Sequence, residues 1–353
     1  MESYFERAKL KFENLKNKTD VIVLGIESSC DETSVSVVKN GTELLSNVVS
    51  SQIDIHKRFG GVVPEVASRN HVMAIENVFN EAVKEAGIKL SDIDAVAVTY
   101  GAGLIGALLV GVNFAKALSF GLDVPLIAVS HIEGHISANY ITHKALKPPF
   151  ICLLVSGGHT ALLKVSDYLE HTMLGTTIDD SVGEAFDKVA RILGLEYPGG
   201  PNVDKFAKLG KSNIEFIKHD ILKGTLNFSF SGVKTAVINY VHNLEQKGES
   251  VNVPDVAASF QSFVVKELTE KAISACKQTG LKKLVVAGGV SANSYLKERL
   301  TELCKENNIE LYMPELKLCT DNAAMIASAG YYYIKKGKGL AGLDLTGSAT
   351  VAL

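Results

Sequence analysis

The sequence predicts an α/β protein made of two lobes that repeat one structural plan. The chain has 353 residues, which is long for a single hydrophobic core and suits two. Each half opens with a β-hairpin whose turn is polar, and each half ends its core with a strand, a glycine-rich turn and a helix. A duplication on this scale predicts two similar mixed α/β lobes.

The first half alternates strands and helices, and its hairpin has a polar tip at residues 27–33. Hydrophobic periodicity predicts the following elements in order: strands at 21–26, 34–38 and about 44–49, a helix at about Pro64–Ala86, a strand at 93–99, a helix ending near residue 120, a strand at 124–129 and a helix at 131–140.

The second half repeats this plan after the Pro148-Pro149 pair, which breaks the chain. The predicted elements are a strand at 150–155, a polar turn at 156–160, a strand at 161–165, a helical insertion at about 183–248, a strand at 283–287, a helix from about residue 293, a strand at 309–313 and a helix at 322–335.

These patterns define a predicted N-terminal lobe at residues 21–145 and a C-terminal lobe at 146–353, whose last helix could pack back toward the first lobe. Residues 1–20 form an extension, either a short amphipathic helix or a frayed segment. The duplicated hairpins and glycine-rich strand ends predict the actin-like ATPase (ASKHA) fold of actin, Hsp70 and sugar kinases, which binds a nucleotide between its lobes.

Composition narrows the class of protein. A net charge of −3 gives no sign of a nucleic-acid partner, although a local basic patch would not show in the total. Five scattered cysteines favour reduced thiols and argue against a disulfide framework or a cysteine-based zinc site. No run of about 18 uninterrupted apolar residues and no secretory signal occur, so we expect a cytoplasmic protein without a membrane span.

His131 and His135 are the first candidates for chemistry. They lie four residues apart in a predicted helix, so both imidazoles project from one face and can bind one ion. The motif lacks the glutamate that zinc proteases carry directly after the first histidine. Two surface histidines are the alternative interpretation. The two histidines follow the end of a predicted strand and face the predicted cleft, and this position favours a metal site.

A carboxylate is expected as the third ligand, and Asp321 is the best candidate. Thr320 or Asp321 would begin the last helix as its N-cap, and a plain cap is the alternative role for Asp321. Two histidines and one aspartate leave positions open for substrate oxygens. This pattern suits one divalent ion, iron(II) or zinc, acting as a Lewis acid.

Glycine pairs mark two further candidate sites. Gly157 and Gly158 lie between two apolar strands, where their backbone N–H groups could approach an anion; an ordinary hairpin turn is the alternative. Gly288 and Gly289 end a strand before a helix, which leaves room for a base or ribose. Glu27, Asp31 and Glu32 crowd the first hairpin tip, either as functional carboxylates or as a solvated turn.

Taken together, the sequence resembles the TsaD family, formerly called O-sialoglycoprotein endopeptidases, in its bacterial or organellar form. The resemblance covers residues 21–335 and rests on motifs in a fixed order: GIESSCDET (25–33), FGGVVPEVASR (59–69), SHIEGH (130–135), LVSGGHT (154–160), GEAFDK (183–188), YPGGP (197–201), FSFSGVK (228–234), AGGVSAN (287–293) and CTDNAAM (319–325). Ala102 departs from the family, which commonly has proline there, and the tail after Leu340 differs from the usual ending.

The resemblance implies a transferase that moves a threonylcarbamoyl group from threonylcarbamoyl-AMP to the 6-amino group of adenosine at position 37 of tRNAs reading ANN codons. It also implies roles for matching residues. The metal ligands are His131, His135 and Asp321; the residues along the adenylate phosphate and acyl group are Leu154, Val155, Ser156, Gly157 and Gly158; the ribose and base contacts are Asp187, Gly200, Asp204 and Asn293; the carboxylates near the reacting centre are Asp31 and Glu32.

Two other functions compete with this one. A metalloprotease is the family's older description, and a nucleotide-binding scaffold of the actin type without transfer chemistry is the second alternative. The resemblance implies tRNA and threonylcarbamoyl-AMP as substrates. It further implies a TsaB-like paralogue and a TsaE-like ATPase as partners of a bacterial protein, or a homodimer of the mitochondrial kind.

Overall fold

The computed structural model describes residues 3–216, 222 and 224–351, and it divides the chain into two compact units. The first unit comprises Met1–Lys147 together with Pro314–Leu353, and the second comprises Pro148–Met313. Residues 314–353, which were predicted to lie in the C-terminal lobe, therefore belong to the first unit. In the predicted helical segment 183–248, residues 217–221 and 223 lie outside the described part, as do residues 1, 2, 352 and 353 at the termini.

The helices and strands follow one another as alternating α/β elements. In chain order they are α1 (Tyr4–Leu15), β1 (Ile22–Glu27), β2 (Glu32–Lys39), β3 (Glu43–Ser51), α2 (Ile53–His56), α3 (Pro64–Ala86), β4 (Ala95–Gly101), α4 (Ile105–Leu122), β5 (Leu126–Ser130), α5 (His131–Thr142), β6 (Phe150–Val155), β7 (Thr160–Asp167), β8 (Glu170–Thr176), α6 (Val182–Ile192), α7 (Gly199–Ala207), α8 (Ser231–Gln246), α9 (Val253–Thr279), β9 (Lys283–Ala287), α10 (Ser294–Glu306), β10 (Glu310–Tyr312), α11 (Ala323–Lys335) and β11 (Leu340–Ala341).

The two sheets share one topology, which confirms the internal duplication. The first sheet has the order β11-β5-β4-β1-β2-β3 and the second the order β10-β9-β6-β7-β8. In each sheet three consecutive strands pair antiparallel, and two later strands add in parallel beside the first. A parallel addition needs a crossover, which the helices supply.

Helix α11 explains why the C-terminal residues join the first unit. It packs on β1 and against α5, and its small side chains permit a close approach to the sheet. A Cβ atom at Gly25 of β1 would lie 2.3 Å from the carbonyl oxygen of Ala323, a distance that real Cβ atoms do not adopt. The predicted boundary followed chain order, whereas this contact joins residues about 300 positions apart.

The N-terminal extension forms the helix α1, so the frayed alternative is wrong for Tyr4–Leu15. Ser3 and Glu6 form a capping box at its start. Its apolar face is buried through Tyr4, Phe12 and other residues, and the Tyr4 hydroxyl donates to the Val124 carbonyl oxygen at 2.9 Å. The helix thus belongs to the first unit's core.

Helix α4 is the one helix among the described residues that is long and apolar enough to cross a membrane. It packs against β4 and α3, and small residues such as Ala107, Gly111 and Ala115 are buried in that contact. A helix that packs one face on a sheet passes the same test of length and composition.

Candidate active site

His131 and His135 occupy the first turns of α5, directly after β5. Ser130 precedes the helix in an extended conformation, so the chain turns from strand to helix at the first histidine. Both imidazoles are buried, with 8% and 2% of the residue exposed, and their ring centroids are 4.5 Å apart. The predicted helix, and the common face of the two histidines, are confirmed.

Asp321 lies two residues before α11. The N-cap of α11 is Asn322, whose side chain accepts from the Met325 N–H at 3.1 Å, so the predicted cap at Thr320 or Asp321 is wrong. Because Asn322 takes the capping role, the Asp321 carboxylate is available for other partners.

The structure brings these three side chains together within the first unit. One carboxylate oxygen of Asp321, Oδ1, lies 3.3 Å from His131 Nε2 and 3.4 Å from His135 Nε2. One potential ligand atom from each residue lies within 4.8 Å of the other two. Neither buried ring nitrogen of His135 has a hydrogen-bond partner in the described part of the chain. Two imidazoles, one carboxylate and an unsatisfied buried nitrogen fit a divalent metal ion.

The electrostatics of the cluster also favour a cation. Burial alone lowers the pKa of His131, but the charges of Asp321 and Glu27 outweigh burial, and its pKa is raised well above the usual value. Burial raises the pKa of the Asp321 carboxyl, yet the imidazole of His131 lowers it far below its ordinary range. Burial and the charge of His131 lower the pKa of His135. Positive charge at this place is therefore stabilised by its surroundings.

Asp31 and Glu32 lie where β2 begins, in the same unit as the candidate metal ligands. Asp31 is 5% exposed, so the alternative of a solvated turn is wrong at this position. Burial and the nearby charges of Asp31 and Asp321 raise the pKa of Glu32 to about 10. The Ser51 hydroxyl donates to Glu32 at 3.0 Å. Glu32 is thus a neutral carboxylic acid at pH 7 in the metal-free protein.

In the second unit, the turn at residues 156–160 joins β6 to β7 and meets the start of α6. The Ser156 N–H donates to the His159 carbonyl oxygen at 2.8 Å, and the Gly183 N–H of α6 donates to the Ser156 carbonyl oxygen at 3.2 Å. Gly157 and Gly158 are exposed. Exposed glycine amides beside a helix N-terminus form a surface suited to an anion.

The other predicted substrate residues in this unit have partners that limit their roles. The side chains of Leu154 and Val155 are fully buried in β6, so only their backbone atoms could face a ligand. Asp187 accepts the Gly199 N–H at 2.7 Å and so fixes the loop before α7. Nothing lies within 4 Å of the Cβ position of Gly200.

Asp204 and Asn293 are joined to α10. Ser294 donates its hydroxyl to the Asp204 carboxylate at 2.9 Å. The Asn293 side-chain oxygen accepts the Leu296 N–H as the N-cap of α10, and its amide donates to Gln261 at 2.8 Å. The Asn293 side chain is therefore held by the protein itself.

Sequence analysis named Glu27 among the carboxylates of the hairpin tip, but it missed His71. Glu27 is completely buried and contacts His131, so the alternative of a solvated turn is wrong for it. His71 of α3 bonds the Cys30 carbonyl oxygen at 2.9 Å through Nε2, and Thr33 contacts its Nδ1 at 2.7 Å. A histidine at a core-facing position of a long helix is the only signal that could have indicated His71.

Comparisons with known proteins decide the family. A family model described as TsaD, tRNA N6-adenosine threonylcarbamoyltransferase, matches residues 43–328. The chain belongs to the TsaD family. It is 58% identical over 317 residues to a protein of that name from Clostridium perfringens, covering 90% of this chain and 94% of the relative. A relative of the same name from Clostridium botulinum is 56% identical over 322 residues, covering 91% and 95%.

Solved structures support the fold. HypF from T. kodakarensis superposes with a TM-score of 0.59 at 16% identity, over 90% of this chain and 48% of HypF. Component A of the (R)-2-hydroxyglutaryl-CoA dehydratase of Acidaminococcus fermentans gives 0.52 at 14% identity, over 89% and 99%. The predicted actin-like ATPase fold and the predicted family are thus confirmed, and with the family its class, a tRNA-modifying acyltransferase.

Proposed function

We propose that this TsaD-family chain transfers the threonylcarbamoyl group from threonylcarbamoyl-AMP to the N6 amine of adenosine 37 in tRNA, using one divalent ion held by His131, His135 and Asp321. The observation that carries the proposal is the convergence of these three side chains in a member of a family named for this transfer.

The three ligands would leave coordination positions open for substrate oxygens. A bound iron(II) or zinc ion would supply Lewis acidity, which polarises the carbonyl of the threonylcarbamoyl group toward attack. His131 and His135 contribute neutral nitrogen donors and Asp321 a negative oxygen donor, a set that suits either metal. The rigid start of α5 holds the two histidines, so little rearrangement is needed to bind the ion.

The glycine turn at 156–160 is the proposed binding site of the adenylate phosphate. The amide groups of Gly157 and Gly158 would donate to the phosphate oxygens, and the N-terminus of α6 adds its positive dipole. When the acyl–phosphate bond breaks, these donors stabilise the negative charge on the AMP leaving group. Asp187, Gly200, Asp204 and Asn293 are the proposed residues around ribose and base. Asp187 and Asn293 act there by fixing α7 and α10.

The adenosine amine is a weak nucleophile, so its positioning and the removal of its proton matter for the rate. Asp31 and Glu32 are the proposed acid–base pair. Either carboxylate could accept the amine proton, and Asp31 is the first candidate because burial and neighbouring charges raise the pKa of Glu32. Asp31→Asn is then expected to lower the transfer rate at unchanged metal content, whereas Glu32→Gln keeps a neutral side chain and is expected to be milder.

The family resemblance supports a proposal for the partners and the location of the protein. We propose that the chain works in the bacterial cytoplasm with a TsaB-like paralogue and a TsaE-like ATPase, and a homodimer is the other assembly to be tested. Analytical ultracentrifugation of the chain alone, and of mixtures with each partner, separates these assemblies.

The test is a transfer assay with purified chain, threonylcarbamoyl-AMP and unmodified tRNA, carried out with and without the partner proteins. Nucleoside mass spectrometry should find threonylcarbamoyladenosine in a tRNA with adenosine at position 37. A matched tRNA with guanosine there should stay unmodified. Modification of both tRNAs, or of neither with every partner present, would contradict the proposal.

A further inference from the structure

Glu27, at the end of β1, is a completely buried carboxylate at the back of the candidate metal centre. Its contacts are specific. The Thr99 hydroxyl donates to Oε2 at 2.6 Å, the Ser29 N–H donates to Oε1, and His131 Nδ1 lies 3.1 Å from Oε2. A buried charge is costly unless it is hydrogen-bonded, so this set of partners makes its burial tolerable.

These contacts determine which nitrogen of His131 carries the proton. Both oxygens of Glu27 already accept hydrogen bonds, so the carboxylate acts as an acceptor toward Nδ1. The Ser29 hydroxyl also lies 3.2 Å from Nδ1, and its oxygen can accept from the same N–H. The proton of neutral His131 therefore sits on Nδ1, and the lone pair is on Nε2. Nε2 is the atom that lies 3.3 Å from Asp321 Oδ1, on the side where a metal would bind.

His135 has no comparable support. Both of its ring nitrogens are buried without a hydrogen-bond partner among the described residues. The two histidines, equivalent in the sequence motif, are thus different in the structure. A carboxylate contacts His131 at Nδ1, behind the ring, whereas the carboxylate beside His135 is Asp321, 3.4 Å from its Nε2.

We propose that Glu27 is a positioning residue for the metal centre: it fixes the tautomer and ring orientation of His131 so that Nε2 faces the ion, and Thr99 and the Ser29 amide in turn hold Glu27. This inference rests on the metal site proposed above. Carboxylates that hold a ligating histidine in this way typically change metal affinity by about 10–100-fold when they are mutated.

The consequence is an unequal pair of histidine ligands. His131 is the anchored ligand, and its orientation is prepared before metal binding. His135 completes the site without a hydrogen-bond partner at Nδ1 among the described residues. A mutation of Glu27 should therefore change the zinc affinity only through its effect on His131.

The experiment measures the Kd of zinc for the full chain by competition with a chromophoric chelator. Glu27→Gln keeps the size of the side chain but removes its charge and replaces one acceptor oxygen by a donor. We expect its zinc Kd to rise about 10–100-fold. Thr99→Val, which removes the hydroxyl that holds Glu27, should produce a smaller rise in the same direction.

Ser28→Ala is the matched control. Ser28 is a buried neighbour in the same segment, but its hydroxyl donates to the Ala107 carbonyl oxygen of α4 and does not contact His131. Its zinc Kd should stay within twofold of the wild-type value. A rise as large as that of Glu27→Gln would mean that any loss of buried polar contacts weakens the site, and would overturn the inference.

A double-mutant cycle separates positioning from general stabilisation. In a Glu27→Gln background, Thr99→Val should no longer change the zinc Kd, because its effect passes through the missing carboxylate. An undiminished effect would refute the proposal. If Asp321→Ala leaves zinc binding unchanged, the metal site itself is wrong; if Asp321→Ala abolishes binding while Glu27→Gln binds like wild type, only the role of Glu27 is wrong.

Discussion

The contact between Gly25 and α11 gives a direct way to disturb the proposed metal centre from a distance. Gly25 lies in β1, and a Cβ atom there would lie 2.3 Å from the Ala323 carbonyl oxygen and 2.6 Å from the Ala327 nitrogen. Both are backbone atoms, so no side-chain rotation relieves the clash. Real Cβ contacts below 3.0 Å essentially never occur, so the first turn of α11 must move by at least about 0.7 Å in Gly25→Ala.

This displacement should cost both stability and metal affinity. Forcing one extra methyl group into a packed core typically costs about 1–3 kcal/mol. Asp321 lies two residues before α11, so it should move with the helix. Because metal–ligand distances tolerate only about 0.2 Å, the zinc affinity should fall as well.

The assays are guanidinium unfolding followed by circular dichroism and zinc titration by chelator competition. Gly121→Ala is the matched control, since its Cβ position in α4 has no atom within 4 Å and alanine is the better helix former. That control should be neutral or stabilised by up to about 1 kcal/mol. Wild-type stability and zinc affinity in Gly25→Ala would refute the close packing on which this prediction rests.

Three further predictions concern other parts of the first unit. His71→Ala removes the bond to the Cys30 carbonyl oxygen that holds the Asp31–Glu32 segment, so the transfer rate should fall by about tenfold or more at unchanged zinc content; a normal rate would show that the segment holds itself. Glu32 has a pKa raised to about 10, so in metal-free protein its ionisation favours the unfolded state increasingly as pH rises above about 4.5. Glu32→Gln should therefore gain stability over wild type at pH 8, by up to about 5 kcal/mol, and none near pH 4 in urea unfolding, and equal gains at both pH values would contradict the assignment. Phe12→Ala should weaken the docking of α1 by about 3 kcal/mol, seen as faster amide exchange in α1, while the transfer rate stays normal; slowed transfer would connect α1 to the site.

Most of the fold could be predicted because hydrophobic periodicity is a local signal. The helix Pro64–Ala86 was predicted with its observed bounds, and the polar hairpin tips lie between paired strands as expected. Strand β8 was missed because its burial is partial and its alternation weak, as in an edge strand. Helix α9 was not predicted; it begins at Val253, beyond the predicted helical insertion, which ended at about residue 248.

The return of α11 to the first unit could not be derived from chain order. The contact between α11 and β1 requires small residues, glycine and alanine, at facing positions on the two elements. Only the tertiary structure shows which positions face each other. The N-cap residue of α11 could not be derived from the sequence either. Asp321 and Asn322 are both good caps by residue type, and only the backbone geometry assigns the role to Asn322.

In the candidate site, too, some features could be predicted from the sequence and others required the structure. His131 and His135 could be paired from their spacing alone, because a helix places residues four apart on one face. The meeting of Asp321 with them required the tertiary structure. Glu27 was the least predictable contributor, since a glutamate at the end of a hairpin strand is usually solvated, and its burial depends on Thr99 from a neighbouring strand.

The most direct test of the central claim measures zinc stoichiometry and threonylcarbamoyladenosine formation together in His131→Ala, His135→Ala and Asp321→Ala, with His242→Ala, at an exposed histidine of α8, as the control. Each of the first three variants should lose the bound ion and at least about 99% of the transfer rate while it remains folded by circular dichroism. The control should keep one ion per chain and most of its rate. Wild-type rates of modification in the three ligand variants would contradict the account.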